Sequence, residues 1–141
     1  MILLDTNVVS AFMQHEVDRV AVAWLDAQPA ESIWTTSITV FEIRMGLELL
    51  AAGRRRRALE DAFAKMIEED FEGRVVPFDA AAAHAAGRIA AERRRSGRPV
   101  EIRDVQIAGI AFARKASIAT RNVRHFQELP IAVMNPWKGG S

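Results

Sequence analysis

The sequence predicts an α/β fold built around a buried parallel β-sheet. Residues 1–4 are four apolar residues in a row, followed at once by the carboxylate of Asp5. A strand with one exposed face alternates apolar and polar residues, so this unbroken run indicates a strand buried on both faces, as at the centre of a parallel sheet. Short apolar segments then alternate with helical patterns along the chain, which is the order expected when helices cover a parallel sheet.

The first half of the chain predicts one further strand and four helices. Thr6 or Asn7 can cap the first helix, because oxygens of such side chains accept hydrogen bonds from N–H groups of the first turn. Gly53 can end the third helix, because glycine readily adopts the left-handed conformation that follows many helices. The predicted elements are a helix to about residue 14, a helix over 18–27, a strand over 32–36, and helices over 38–52 and 55–71.

The second half continues the alternation without a linker or a repeat, so a single domain is expected. Asp79 opens an alanine-rich helix, and Asp104 opens a helix whose apolar residues are spaced to face inward. Asn135 and Pro136 end the last strand. The predicted strands span residues 74–78, 117–120 and 131–134, and the predicted helices span 79–95 and 104–115.

The composition excludes several classes of protein. The chain contains no cysteine, so disulfides and thiolate metal sites are impossible, which fits a reducing cytosol and a cytoplasmic location. The N-terminus lacks the basic and apolar regions of a signal peptide, and no apolar stretch is long enough for a membrane span. No association with a membrane is therefore expected.

The net charge of +1 is small, but the arginines are clustered. The densest run is Arg54, Arg55, Arg56 and Arg57 at the predicted start of a helix. Cations at a helix N-terminus oppose the helix dipole, so the run favours an anionic partner. The alternative is a solvated helix start with no partner.

Four polar side chains are predicted to meet at one edge of the sheet. In a parallel sheet the strand-to-helix junctions share the carboxyl edge, where ligands bind. Asp5 follows the first strand, and Glu42 lies early in the helix after the second. Asp104 begins the helix before the fourth strand, and Asn122 follows that strand. Carboxylates about 4 Å apart repel by roughly 4 kcal/mol, which a divalent cation relieves. Hard oxygen ligands suit magnesium or manganese.

Each of these residues also has a purely structural interpretation. Glu42 completes a capping box with Thr39 and can reach back to a backbone N–H group. Asp104 can be the N-cap of its helix, Asn122 can cap the following turn, and Asp5 can cap the end of its strand. The clustering of three acids favours the metal site, because a fold with no use for their repulsion has little reason to contain it.

These motifs resemble the PIN-domain ribonucleases. The motifs run in the family's order over residues 1–137, and four in order are specific where one alone is not. Within the family the chain is similar to the toxin halves of bacterial toxin–antitoxin pairs, the VapC group, and its ending is similar to the FitB-like branch. The segments that carry the resemblance are Leu4-Asp5-Thr6-Asn7, Thr36-Ser37-Ile38-Thr39 leading to Glu42, Asp104-Val105-Gln106-Ile107-Ala108, Thr120-Arg121-Asn122 and Val133-Met134-Asn135-Pro136-Trp137.

The resemblance implies a three-layer PIN-like domain over residues 1–137, followed by a C-terminal tail over 138–141. The expected sheet has five parallel strands in the order 3-2-1-4-5. The resemblance also implies an endoribonuclease that depends on Mg²⁺ or Mn²⁺ and is the toxin of a type II toxin–antitoxin system. Its expected partners are RNA as substrate, a cognate antitoxin protein and a second copy of the chain in a homodimer.

Carried over from the family, Asp5, Glu42 and Asp104 hold the metal. Asn122 stands where many members have a fourth acid, and with Thr6 it is expected to orient water beside the ion. His125 stands where many members continue with an acid, which leaves the choice between one ion and two open.

Two functions are consistent with these residues. The first is metal-assisted hydrolysis of RNA phosphodiesters, with Asp5, Glu42, Asp104 and Asn122 as catalytic residues. In this function the run from Arg54 to Arg57 holds the RNA backbone without reading bases. The alternative is a non-catalytic regulatory module that binds RNA or another nucleic acid, in which the acids are caps. Metal-dependent cleavage distinguishes the two.

Overall fold

Five parallel strands form one sheet at the centre of the protein, in the order β3-β2-β1-β4-β5. The computed structural model describes all residues, 1–141. The predicted fold class, strand number and strand order are therefore confirmed. The strands are β1 (Ile2–Leu4), β2 (Ile33–Thr36), β3 (Val75–Val76), β4 (Ser117–Ala119) and β5 (Val133–Met134).

Helices cover both faces of this sheet. Ile2 and Leu4 of β1 belong to a hydrophobic cluster with the first four helices, and Leu3 belongs to a second cluster with the last two. Successive residues of a strand point to opposite faces, so the apolar run at the N-terminus supplies two cores at once. The helices are α1 (Thr6–Phe12), α2 (Arg19–Asp26), α3 (Ser37–Leu49), α4 (Arg54–Lys65), α5 (Ala80–Arg95) and α6 (Ile102–Arg114). None has the length and apolar character needed to cross a membrane.

Three predicted helix ends are wrong. Asp5, not Thr6 or Asn7, caps α1, because Asp5 is the single residue between β1 and the helix and its carboxylate accepts from the Val8 N–H at 3.0 Å. Gly53 does not end α3. It precedes α4 with a φ of 154°, a conformation that other residues rarely adopt.

The start of α6 is the third correction. The helix begins at Ile102, and its N-cap is Glu101, whose carboxylate accepts from the N–H groups of Arg103 and Asp104 at 2.9 and 3.3 Å. Glutamate is an uncommon cap, and its longer side chain reaches the same two groups that a shorter cap would satisfy. Asp104 is thus inside the first turn, so its own side chain is not required as a cap.

The two helices on one face, α5 and α6, approach each other closely at Gly109. A Cβ atom at Gly109 would lie 2.6 Å from both the carbonyl oxygen of Ala82 and the Cβ atom of Ala86. Ala82 and Ala86 are themselves buried. The alanine-rich composition of α5 therefore lets α6 pack close to it, and α6 carries Asp104 at its first turn.

We predict that Gly109→Ala destabilises the protein by about 1–3 kcal/mol, because the added methyl group meets backbone atoms that cannot move aside. Gly87→Ala is the matched control. Gly87 lies inside α5 with nothing near its missing Cβ atom, so alanine there should stabilise the helix by about 0.5–1 kcal/mol. Urea unfolding of both variants measures the difference. Equal stability of the two would show that the helices do not pack this closely.

Candidate functional site

Three of the predicted acids meet at the carboxyl edge of the sheet. Asp5 directly follows β1, Glu42 lies in the second turn of α3, and Asp104 lies in the first turn of α6. Asp104 is close enough to Asp5 to raise its pKa, and Glu42 acts in the same way on Asp104. The strand-to-helix topology thus places the side chains of Asp5, Glu42 and Asp104 near one another.

Asp5 is the most buried of these acids. Its side chain accepts from the Val8 N–H at 3.0 Å and from the Thr120 hydroxyl at 2.5 Å. Burial, which disfavours the charged carboxylate, raises the pKa of Asp5 to about 6, although the Thr120 and Val8 hydrogen bonds oppose the rise. The charge on Asp104 adds to it. An ionised Asp5 is therefore unfavourable in this site until a positive group compensates it.

Glu42 is held by two neighbours of the other acids. Thr6, which follows Asp5, donates its hydroxyl to Glu42 Oε1 at 2.7 Å, and the Arg103 guanidinium, which precedes Asp104, lies 3.4 Å from Glu42 Oε2. The capping-box interpretation is wrong, because α3 is capped by Thr36, whose hydroxyl accepts from the Thr39 N–H at 3.1 Å. The Glu42 carboxylate is consequently directed towards the other acids.

Asp104 is half-buried and pairs with His125. The distance between His125 Nδ1 and Asp104 Oδ2 is 2.8 Å. Burial raises the pKa of Asp104, the contact with His125 opposes the rise, and the charges of Glu101 and Glu42 add to it. His125 therefore stands within hydrogen-bonding distance of Asp104.

Asn122 follows β4, as expected, but it does not cap the next turn with its side chain. Its backbone N–H donates to the Thr120 hydroxyl at 3.0 Å, and its side-chain amide makes no hydrogen bond within the protein. The half-buried amide is therefore free to hydrogen-bond a water or a ligand, and it lines a cleft that also contains His125.

Thr120 and Arg103 belong to the site although the sequence pattern assigned no role to either. Thr120 is fully buried and connects Asp5 to the backbone of Asn122. Arg103 also lies 5.7 Å from the ring centroid of Phe41. The position of Thr120 at the end of β4 was the one signal for its role, while nothing local indicates that Arg103 contacts Glu42, 61 residues away.

The donor set fits a hard divalent cation, but the acids are not yet arranged around one. No group of three or more acidic or histidine side chains has the geometry to hold a metal ion as it stands. Each carboxylate has a donor from the protein itself. Carboxylate oxygens are the ligands that magnesium and manganese prefer. Binding an ion would require the acids to exchange some internal partners for it.

The arginine run is not brought to the acid edge as a unit. Arg56 is held in ion pairs with Glu48 at 2.7 Å, which joins α3 to α4, and with Glu60 of its own helix at 3.2 Å. Glu48 lies six residues beyond Glu42, about 9 Å further along α3. The other three arginines of the run are exposed and make no ion pair. Arg56 thus has a structural role that the sequence pattern did not reveal.

Known proteins are similar to this chain in sequence and fold over nearly its whole length. The PIN domain family model matches residues 2–131. The VapC ribonuclease Y4jK of Sinorhizobium fredii is 36% identical over 138 residues, which are 98% of this chain and 99% of that protein. Toxin FitB of Neisseria gonorrhoeae is 35% identical over 137 residues, 97% of this chain and 99% of the toxin. The crystal structure of FitAcB from the same organism superposes with a TM-score of 0.87 at 35% identity, covering 97% of this chain and 99% of that one.

The raised pKa of Asp5 predicts how stability depends on pH without metal. The native state holds the Asp5 proton more tightly than the unfolded state, so Asp5 favours folding below about pH 4. That contribution, about 3 kcal/mol, is lost as the pH rises through about 6. Asp5→Asn removes it. In chelator, the variant should therefore gain stability relative to the native sequence between pH 4 and 7.

Thermal melting of both proteins between pH 4 and 7 measures their difference in stability. Contributions of other titrating groups are common to both proteins and cancel in this difference. Asp61→Asn, at an exposed aspartate of α4, is the control and should run parallel to the native sequence. A strongly destabilised Asp5→Asn at pH 7 would show that the Asp5 charge acts as a structural cap.

Proposed function

Because the chain belongs to the PIN-domain family, we propose that it is a metal-dependent endoribonuclease that acts as the toxin of a bacterial type II toxin–antitoxin system. The observation that carries this proposal is the meeting of Asp5, Glu42 and Asp104 at the carboxyl edge of the sheet. The near-complete alignment with a VapC ribonuclease supports it.

Asp5, Glu42 and Asp104 would together hold Mg²⁺ or Mn²⁺. Such an ion lowers the pKa of water at the site and offsets negative charge on the phosphate. Two of these acids have a raised pKa in the metal-free protein, so a bound cation would stabilise their ionised forms. The chemistry of the donors, rather than their present spacing, supports this assignment.

The remaining residues of the site position these acids. Thr120 fixes the Asp5 carboxylate, Thr6 fixes Glu42, and His125 fixes Asp104. The free amide of Asn122 is suited to orient a water or a phosphate oxygen. Locking such side chains in advance limits the reorganisation that the reaction requires.

RNA is the proposed substrate, and its phosphates would be contacted by arginines. Arg54, Arg55 and Arg57 remain candidates for the RNA backbone because they are exposed and unpaired. Arg56 is a weaker candidate, since its guanidinium is already held by two glutamates. Phosphate contacts of this kind position RNA without selecting a sequence.

Protein partners complete the proposal. A cognate antitoxin binds the toxin of such a pair, and we propose that the chain also forms a homodimer. An exposed apolar row on α3 supports a protein interface, since Phe41, Met45 and Leu49 are 56%, 36% and 79% exposed at four-residue spacing. We propose a domain over residues 1–137 and a tail over 138–141. In that tail, the Gly140 N–H donates to the Asn135 carbonyl at 2.8 Å.

One observation favours the alternative, a nucleic-acid-binding module without catalysis. Every acid of the cluster has an internal partner, and no ready-made metal geometry exists. In that case the acids are structural and the arginines alone act. Cleavage that depends on metal separates the two functions.

We predict that Asp104→Asn abolishes nearly all RNA cleavage while leaving the fold intact, because an amide is a poor ligand for a hard cation. Chelator should abolish cleavage by the native sequence. Magnesium at a hundredfold excess over its dissociation constant should stabilise the native sequence by about 2.7 kcal/mol and the variant much less. Cleavage-end mapping on total RNA and thermal melting with and without magnesium are the measurements. Asp61→Asn should behave as the native sequence, and an active Asp104→Asn would show that Asp104 is not a metal ligand.

We also predict that expression of the chain alone arrests bacterial growth and that Glu42→Gln relieves the arrest. The amide keeps the size of Glu42 but removes the charge that the proposed cation needs. Glu48→Gln, on the same helix but paired with arginines, should remain toxic. Growth curves at matched amounts of soluble protein test this. Normal growth with abundant native sequence would count against a toxin and leave a plain nuclease possible.

A further inference from the structure

A small basic cleft adjoins the acid cluster. It has a volume of about 230 Å³, and its lining includes Glu101, Asp104 and His125 together with Arg93, Arg98 and Arg124. The cleft therefore begins at the proposed catalytic edge and continues into three guanidinium groups. None of these three belongs to the arginine run of α4.

Arg93 is nearly buried and lacks a full set of partners. Its side chain is 12% exposed, and its buried Nε atom has no hydrogen-bond acceptor. Glu128 is the one acidic residue that forms an ion pair with Arg93, and its carboxylate lies at the long distance of 3.8 Å from Arg93 Nη1. A buried donor without an acceptor is unfavourable by more than a hydrogen bond contributes, so such a group calls for an anionic or polar ligand.

The turn after α5 places Arg98 beside Arg93. The Arg98 N–H donates to the Arg93 carbonyl at 2.8 Å, and the Gly97 N–H donates to the Arg94 carbonyl at 3.1 Å. These two bonds, with Gly97 at a φ of 71°, form a Schellman motif. The motif reverses the chain at the helix end, so the two guanidinium groups share one acidic neighbour.

That neighbour, Glu128, occupies the place of an anion. Its carboxylate forms ion pairs with both Arg98 and Arg93. Glu128 has a φ of 68°, in the left-handed region that a non-glycine residue rarely adopts. A carboxylate presents two oxygens to arginine much as a phosphodiester does. The protein itself therefore shows that a singly charged oxyanion fits between these arginines.

We propose that Arg93, Arg98 and Arg124 form a binding site for a phosphate of single-stranded RNA next to the phosphate that is cleaved, and that Glu128, which pairs with Arg93 and Arg98, competes with RNA for these two arginines. The inference rests on the proposed function for its substrate class. The cleft is a better phosphate site than the start of α4, because it is contiguous with Asp104 and two of its arginines, Arg93 and Arg98, share one carboxylate. RNA that binds Arg93 and Arg98 must first displace the Glu128 carboxylate, so Glu128 weakens RNA binding.

Binding of a labelled twelve-nucleotide single-stranded RNA, measured by fluorescence anisotropy in chelator over a range of salt concentrations, tests the proposal without cleavage. Arg98→Gln should weaken binding about tenfold, because a charge-assisted contact is lost. Its salt dependence should also become shallower by about 0.7 in logarithmic slope. Glu128→Gln should tighten binding about two- to fivefold, because an exposed ion pair no longer competes.

Arg114→Gln is the matched control. It removes the same charge and also breaks an exposed ion pair, with Asp79, but it lies at the opposite end of α6. RNA binding by Arg114→Gln should equal that of the native sequence. Native-level binding by Arg98→Gln, or a failure of Glu128→Gln to tighten binding, would overturn the proposal.

Cleavage assays with magnesium separate this proposal from the function. If the native sequence cleaves RNA but Arg98→Gln binds RNA normally, the proposed phosphate site is wrong and the proposed nuclease function is supported. If the native sequence does not cleave RNA but the variants change RNA binding as expected, the proposed phosphate site is supported and the proposed nuclease function is wrong.

Discussion

The burial of one carboxylate, that of Asp5, is the constraint on which the rest of the site depends. Asp5 directly follows the central strand and is buried. It also caps α1, which fixes the side chain by a hydrogen bond to the Val8 N–H. A charge held in this way is unfavourable in the absence of a cation, as its pKa of about 6 indicates. The same rigidity makes it a good ligand, because little conformational freedom remains to be lost on binding.

The surrounding contacts moderate this constraint without removing it. Each acid has one or two donors: the Val8 N–H and a threonine hydroxyl for Asp5, another threonine hydroxyl and an arginine for Glu42, and a histidine for Asp104. These donors hold the carboxylates in place. The partners of Glu42 and Asp104 are partly exposed, so they contribute only about 1 kcal/mol each and are easily exchanged, whereas the hydrogen bond from Thr120 to Asp5 is buried. An arrangement of this kind favours a cation that binds reversibly over a permanently bound structural ion.

The sequence predicted the sheet well because its signals are local. Four apolar residues identified β1, and the rule that parallel strands share a carboxyl edge placed Asp5, Glu42 and Asp104 near one another. The contacts that were missed are not local: Thr120 reaches Asp5 across 115 residues, and Arg103 reaches Glu42 across 61. The caps were wrong for a different reason. Several polar residues stood near the predicted starts of α1 and α6, and the local backbone geometry selects Asp5 and Glu101 among them.

The arginines show why charge density along a sequence is a poor guide to a binding surface. The run in α4 is the densest, yet Arg56 pairs with glutamates of two helices and stabilises their packing. Arg93, Arg98 and Arg124 are scattered in the sequence, yet the end of α5 and the loop after β4 bring them to one cleft beside Asp104. This placement answers an electrostatic requirement. An acid cluster repels RNA, so cations within a Debye length, about 8 Å at physiological salt, are needed to offset that repulsion where the strand approaches. Distant arginines raise the overall attraction to RNA, but only neighbouring ones can hold a phosphate against three carboxylates.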